Sequence, residues 1–293
     1  MVVADSGRMP YFRSWDGTEL AYRVAGSGPT LVCIPGGPGQ AVEYLGELGG
    51  LSDHRKLILL DNRGTGASQA PDDVLTYRVD QIVQDLEALR DHLGLDRMDL
   101  FGHSASGGIC LLYAAEYPHR LDHLVLVSPS LRVVGMHSDR GVDEVLAQRA
   151  HEPWYADAVA ALRAEAASPR ELERYRWLSA PLLYGRWDAA ARAQAAAEPA
   201  QFAKPATEGF YAGFDPDPEL PGRLAALAVP VLLVAGEYDI WPTGESVREL
   251  AALLGNANLT LLPRTGHFPW VDVPARFVAI VHEFLGRATP ARG

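Results

Sequence analysis

The 293-residue chain has little cysteine, no excess of positive charge and no long apolar run. Only Cys33 and Cys110 are present, each inside an apolar stretch. A disulfide scaffold is therefore excluded, and both are expected to be reduced core thiols. Acidic residues outnumber basic ones by 37 to 26, a net charge of −11. That leaves no basic footprint for nucleic acid, and none for an anionic membrane surface. The longest apolar runs, such as VPVLLVAG, fall well short of the roughly 20 residues of a membrane-spanning helix. The opening MVVADSGRMP has no basic stretch leading into an apolar one, so no secretion signal is expected and the cytoplasm is the expected compartment. A dinucleotide fingerprint is missing too. Gly37-Pro38-Gly39 has no third glycine where G-x-G-x-x-G needs one, and proline removes a donor. No cofactor and no metal is expected.

What the chain does have is an ordinary globular balance, 48% hydrophobic and 22% charged, enough for a sizeable core. TELAYRVAG alternates like a half-buried strand. The runs TLVCIP, KLILLD, RMDLFGH, LDHLVLVSP, PVLLVAGE and NLTLLP are short and continuously apolar, as strands covered on both faces are. Helical patterns lie between them. In residues 78–93, Ile82, Leu86, Leu89 and Leu93 fall on one face, with Gly94 as a C-terminal stop. SGGICLLYAAEY ends at Pro118, and GESVRELAALLG and PARFVAIVHEFLG follow later. Alternating strands and helices predict a doubly wound, mostly parallel α/β sheet. Residues 131–224 break the alternation with Ala-, Arg- and aromatic-rich helical sequence. They are expected to form a helical cap (lid) inserted into a core of residues 1–130 and 225–293. Placed after a strand's C-terminal end, such a cap covers the sheet edge where ligands bind.

Chemistry concentrates at strand ends. A serine nucleophile needs a base, an orienting carboxylate and oxyanion donors. LFGHSASGG offers two serines, Ser104 and Ser106. Ser104 falls at the strand-to-helix junction, with Gly102 two residues before it and the small Ser106 two after, as a sharp nucleophile elbow requires. Ser106 and His103 are expected to be packing neighbours. His267, in PRTGHFPW after the last strand, is the expected base. Asp239, in AGEYDIWP, lies 28 residues earlier and is the expected orienting carboxylate, with Glu237 as the alternative and as a substrate-binding candidate. The glycines of IPGGPGQ leave backbone N–H groups free, so Gly37 and Ala105 are expected to form the oxyanion hole.

PGGPG, DNRGTGAS, GHSASGG, GEYD and TGHFPW, in this order over nearly the whole chain, resemble the α/β-hydrolase fold and, more narrowly, the proline iminopeptidase family. The family's usual loop is H-G-G-P-G; here Pro35 stands for its histidine. The resemblance implies that DNRGTG is structural, with Asp61 and Arg63 bracing the loop beside the oxyanion strand. It further implies acidic residues that hold the substrate's free amine. Glu208, in PATEGFY, takes the place of the cap acid, whereas Ile240 stands where some relatives carry a second acid. Some of the cap aromatics Trp154, Tyr155, Trp177, Tyr184, Trp187, Phe210 and Tyr211 are expected to line the pocket, and several to be ordinary helix packing.

The expected function is hydrolysis of the amide after a small N-terminal aminoacyl group. The substrate is a short peptide or aminoacylated small molecule with a free amine. An esterase or lactonase with no amine requirement is the alternative, and a non-catalytic ligand-binding protein of the same fold the remaining one.

Overall fold

The structure, a computed structural model, describes residues 9–287; residues 1–8 of the opening segment lie outside them. Eight strands form one sheet: β1 Tyr11–Arg13, β2 Glu19–Ala25, β3 Thr30–Ile34, β4 Lys56–Leu60, β5 Met98–His103, β6 Leu121–Val127, β7 Val231–Gly236 and β8 Ala257–Leu262. Their order is β1-β2-β4-β3-β5-β6-β7-β8. The pairings β1–β2 and β2–β4 are antiparallel and the others parallel. The alternating run becomes β2 and the six apolar runs become β3 to β8. The three-residue β1 is too short to carry a pattern, and it forms by pairing with β2.

The helices are α1 Val79–His92, α2 Ser106–Glu116, α3 Val142–Ala147, α4 Tyr155–Leu162, α5 Pro169–Ser179, α6 Ala189–Ala197, α7 Lys204–Gly209, α8 Leu220–Ala225, α9 Gly244–Leu253, α10 Pro269–Asp272 and α11 Pro274–Leu285. Gly94 follows α1 with a φ of 66°, the left-handed stop its sequence suggests. Central strands send alternate side chains to two apolar layers. Val32, Ile34 and Leu100 pack with residues of α1, α2 and α9 on one face. Leu31, Cys33 and Phe101 pack with Phe277, Val281 and Phe284 of α11 on the other. Burying such a side chain on either face contributes about 1.5–3 kcal/mol, which explains why these runs are apolar throughout. Cys33 and Cys110 are free and buried in this core.

The segment between β6 and β7 holds α3 to α8 and no strand among its residues. Two of its contacts with the core lie at the loops after β3 and β8. Gln40 and Phe202 form an isolated antiparallel bridge. The His267 N–H donates to the Leu183 carbonyl at 2.7 Å.

Within DNRGTG the roles divide. Asp61 accepts from the Val42 and Ala67 N–H groups at 2.9 and 3.1 Å, and Asn62 Nδ2 donates to the Pro35 carbonyl at 3.4 Å. These two brace the loop after β3. Arg63 points elsewhere, contrary to the expectation. Its buried guanidinium pairs with Asp85 of α1 and with Asp16, because a fully desolvated cation needs carboxylate partners more than backbone ones.

Candidate active site

β5 ends at His103, and Ser104 turns the chain into α2 with a φ of 54°. Such a left-handed conformation costs a non-glycine residue about 1–3 kcal/mol, so the surroundings must hold it. The Ser104 N–H donates to the Val127 carbonyl at 3.0 Å, and its carbonyl accepts from the N–H groups of Gly107 and Ser130 at 2.9 and 2.8 Å. At Gly102 a β-carbon would lie 2.5 Å from Cys110 Sγ, so only glycine lets strand and helix meet.

The two serines separate clearly. Ser104 is partly exposed and lines a cavity of about 340 Å3. Ser106 is fully buried. Its hydroxyl accepts from the His103 N–H at 2.8 Å and reaches the carbonyls of Ile34 and His103 at 2.8 and 2.9 Å. It ties the end of β3 to the end of β5.

The loop after β3 lies against this turn. A β-carbon on Gly36 would sit 2.6 Å from the His103 carbonyl and 2.8 Å from Ser104 Cβ. Gly37 and Ala105 both line the cavity. Among the described residues neither N–H donates a hydrogen bond.

His267 stands on the loop between β8 and α10 and lines the same cavity. Its Nδ1 faces Asp239 Oδ1 and Oδ2 at 3.1 and 3.0 Å. A carboxylate can only accept, so Nδ1 carries a proton, and in the neutral ring that leaves the lone pair on Nε2. Asp239 is fully buried just past β7 and also accepts from the Trp241 N–H at 2.9 Å. The histidine loop is fixed by Asp272, whose Oδ2 accepts from the N–H groups of Gly266 and Gly185, both at 2.7 Å. The turn that supplies Leu183 is held by buried Arg149, whose Nη1 donates to the carbonyls of Tyr184 and Pro181 at 2.7 and 3.2 Å.

His103 connects three of these segments. Its Nε2 lies 3.0 Å from the His267 carbonyl, which accepts only, so Nε2 carries the proton. Nδ1 then accepts from the Tyr44 hydroxyl at 2.7 Å, and that hydroxyl accepts the Gly36 N–H at 2.7 Å. The arrangement requires a neutral ring. Burial, and His267 with ring centroids 4.6 Å apart, hold the His103 pKa well below the usual histidine value. Tyr44 carries no sequence signal for this role.

The neutral ring has a measurable consequence. In the unfolded chain His103 takes up a proton below about pH 6.5, whereas in the folded chain it does not. Proton uptake therefore favours unfolding as pH falls. His103 is expected to cost up to about 1.4 kcal/mol of stability per pH unit below that point and nothing above it. His103→Gln keeps a donor for the His267 carbonyl and should flatten this slope in urea titrations between about pH 5 and pH 7.5. Equal slopes for both proteins would show that His103 is protonated in the fold.

The substrate-binding candidates fare differently. Tyr211 lines the cavity, with its hydroxyl 3.1 Å from Ser130 Oγ and the Arg132 guanidinium 4.3 Å from its ring centroid. Phe210 does not; it is buried in the core and its carbonyl accepts from the Val79 N–H. Glu208 is exposed on α7 and pairs with Lys204. That short helix buries Ala206 and Gly209, which turns Glu208 to solvent. Glu237 is exposed too, and accepts from the Arg264 N–H at 2.9 Å outside this cavity.

The acid that does line the cavity is Glu198, in the turn after α6. Its carboxylate forms no hydrogen bond or ion pair among the described residues. Burial raises its pKa, and the charges of His267 and Arg176 oppose that rise. No motif marks it, because it is brought to the sheet edge only by the path of the inserted helices.

A strand-to-helix serine turn beside a histidine–carboxylate pair at the C-terminal edge of a doubly wound sheet defines the α/β-hydrolase class. Residues 29–272 match the alpha/beta hydrolase fold family, and the chain belongs to it. It is 38% identical over 129 residues to a proline iminopeptidase of Lactobacillus helveticus, a match covering 42% of each chain. It is 28% identical over 281 residues to a putative 2-succinyl-6-hydroxy-2,4-cyclohexadiene-1-carboxylate synthase of Bacillus subtilis, covering 91% of this chain and 95% of that one. Among solved structures it resembles a hydrolase from Pseudomonas aeruginosa PA01, with a TM-score of 0.72, 26% identity, and 97% and 100% of the two chains covered. The chain carries the α/β-hydrolase fold. No helix among the described residues is long and apolar enough to cross a membrane.

Proposed function

We propose that the protein is a serine hydrolase that cleaves the amide bond after an aminoacyl group with a free amine. The substrate is a short peptide or an aminoacylated small molecule, enclosed by the inserted helices acting as a cap. The Ser104 hydroxyl attacks the carbonyl carbon while His267 Nε2 takes its proton. Asp239 holds the imidazole tautomer and stabilises its charge. The N–H groups of Gly37 and Ala105 receive the oxyanion. The C–N bond then breaks, the leaving amine takes the proton from His267, and water releases the acyl group by the same steps in reverse.

The observation that carries the amine requirement is Glu198, a half-buried carboxylate without a partner in the cavity of Ser104 and His267. An ammonium there offsets the cost of its burial. A charge-assisted bond of this kind contributes about 1.5–3 kcal/mol. Acetylating the amine of an aminoacyl arylamide is therefore expected to lower kcat/KM by about 10- to 150-fold, at 1.4 kcal/mol per factor of ten. Glu198→Gln should remove most of that preference.

The esterase reading draws on a different observation. Neither Glu208 nor Glu237 faces the cavity, so Glu198 has no second acid beside it to hold an ammonium. Equal turnover of free and acetylated substrates, with faster aryl ester cleavage, would select that reading.

A further inference from the structure

A second cavity, of about 250 Å3, adjoins the one at Ser104 and shares two of its lining residues, Glu198 and Phe202. Neither the catalytic steps nor the ammonium contact uses it. Its other walls come from α5, which also supplies the charged Glu173 and Arg176, from α6, and from Ala180 and Pro199 in the turns after them. From α6 it receives Ala195 and Ala196, part of a helix with seven alanines in nine residues. A larger aliphatic residue at these places would fill the space; alanine leaves it open. From α5 it receives Trp177, which remains 47% exposed although its indole meets Trp187 edge-on at 5.6 Å. An indole face left uncovered beside an alanine-lined hollow is apolar surface that a ligand would remove from water.

Phe202 is not free to close this space by drifting. Its bridge to Gln40, and the Ala203 N–H bond to the Gly39 carbonyl at 2.9 Å, fix it to the loop that follows Gly37. The partition between the cavities is thus registered against the oxyanion loop. An apolar cavity of about 150 Å3 already accommodates benzene, so this one has room for a benzyl group.

We propose that the second cavity is a subsite for a large apolar, aromatic-sized side chain on the acyl unit of the substrate. Which end of the substrate enters rests on the free-amine reading. With the ammonium at Glu198, the side chain on the same carbon passes Phe202 and stacks on Trp177. The preferred acyl unit is then an aromatic amino acid rather than a small one.

Two measurements separate this inference from the reading beneath it. The first uses 4-phenyl-1-butanol, which has neither an amine nor a scissile bond. Calorimetry should show saturable binding to the wild type and at least tenfold weaker binding to Ala196→Phe, a change at an exposed helical position that fills the hollow. The second compares the 4-nitroanilides of phenylalanine and alanine. The wild-type ratio of kcat/KM should favour phenylalanine by at least tenfold, and Ala196→Phe should cut that ratio at least fivefold. Trp177→Ala, at an exposed wall, should also lower the ratio and guards against misfolding of the first variant. Binding that responds to Ala196→Phe without any anilide cleavage supports the subsite and overturns the aminopeptidase reading. Anilide cleavage with binding and ratio untouched by both variants overturns the subsite and leaves the aminopeptidase reading standing.

Discussion

Ser104→Ala is expected to lower kcat by about 10^6-fold, and Ser106→Ala by less than about tenfold. The first removes the hydroxyl at the strand-to-helix turn, in the cavity that His267 also lines. Without a nucleophile, the oxyanion donors and binding contacts retain only a weak acceleration by water attack. The second change removes a buried strap. The His103 N–H and the Ile34 carbonyl lose a partner, and leaving such groups unsatisfied costs about 1–3 kcal/mol each. Ser106→Ala should therefore show its effect in thermal unfolding, with turnover largely kept at low temperature. A loss of turnover in Ser106→Ala equal to that in Ser104→Ala, with the fold intact, would reverse the assignment of the two hydroxyls.

Asp239→Asn is expected to lower kcat by about 10^4-fold with little change in stability. The asparagine carbonyl can still accept from the Trp241 N–H, which now binds Oδ1. Its amide then presents N–H to His267 Nδ1. That favours the tautomer with the proton on Nε2, and the base can no longer accept from Ser104. Activity should partly return as pH rises, once hydroxide or a deprotonated nucleophile bypasses the base. A loss below tenfold would mean that another carboxylate orients the ring. Glu198 is the one to test, since it lines the same cavity as His267.

Much of this was legible in the sequence, for physical reasons that differ by element. Strands β3 to β7 announce themselves because both faces of the sheet are covered there, so their runs need no alternation to be recognised, whereas β2 shows itself by alternating. That Ser104, Asp239 and His267 lie at one edge of the sheet was legible because each sits in the turn or loop after a strand, and parallel strands deliver their C-terminal ends to one edge. The substrate side was not. The resemblance gives Glu208 the place of the cap acid, but a helix of six residues with one buried face sends its other positions to solvent. Glu198 reaches the cavity through a turn whose position depends on α5, α6 and the bridge to Gln40 together. Tyr44 lies 59 residues from His103, and a hydrogen bond between single residues that far apart leaves no periodicity to read. Arg63 was assigned to the wrong support for a related reason: its partner Asp85 is hidden within the amphipathic pattern of α1.

The most direct test of the account is the site of covalent capture by a small fluorophosphonate, located by peptide mass spectrometry. Only a serine activated by a neighbouring base reacts rapidly with such a reagent. One adduct per chain on Ser104, absent in Ser104→Ala and strongly slowed in His267→Ala, is the predicted result. An adduct on Ser106, or no adduct on folded wild-type protein, would contradict it.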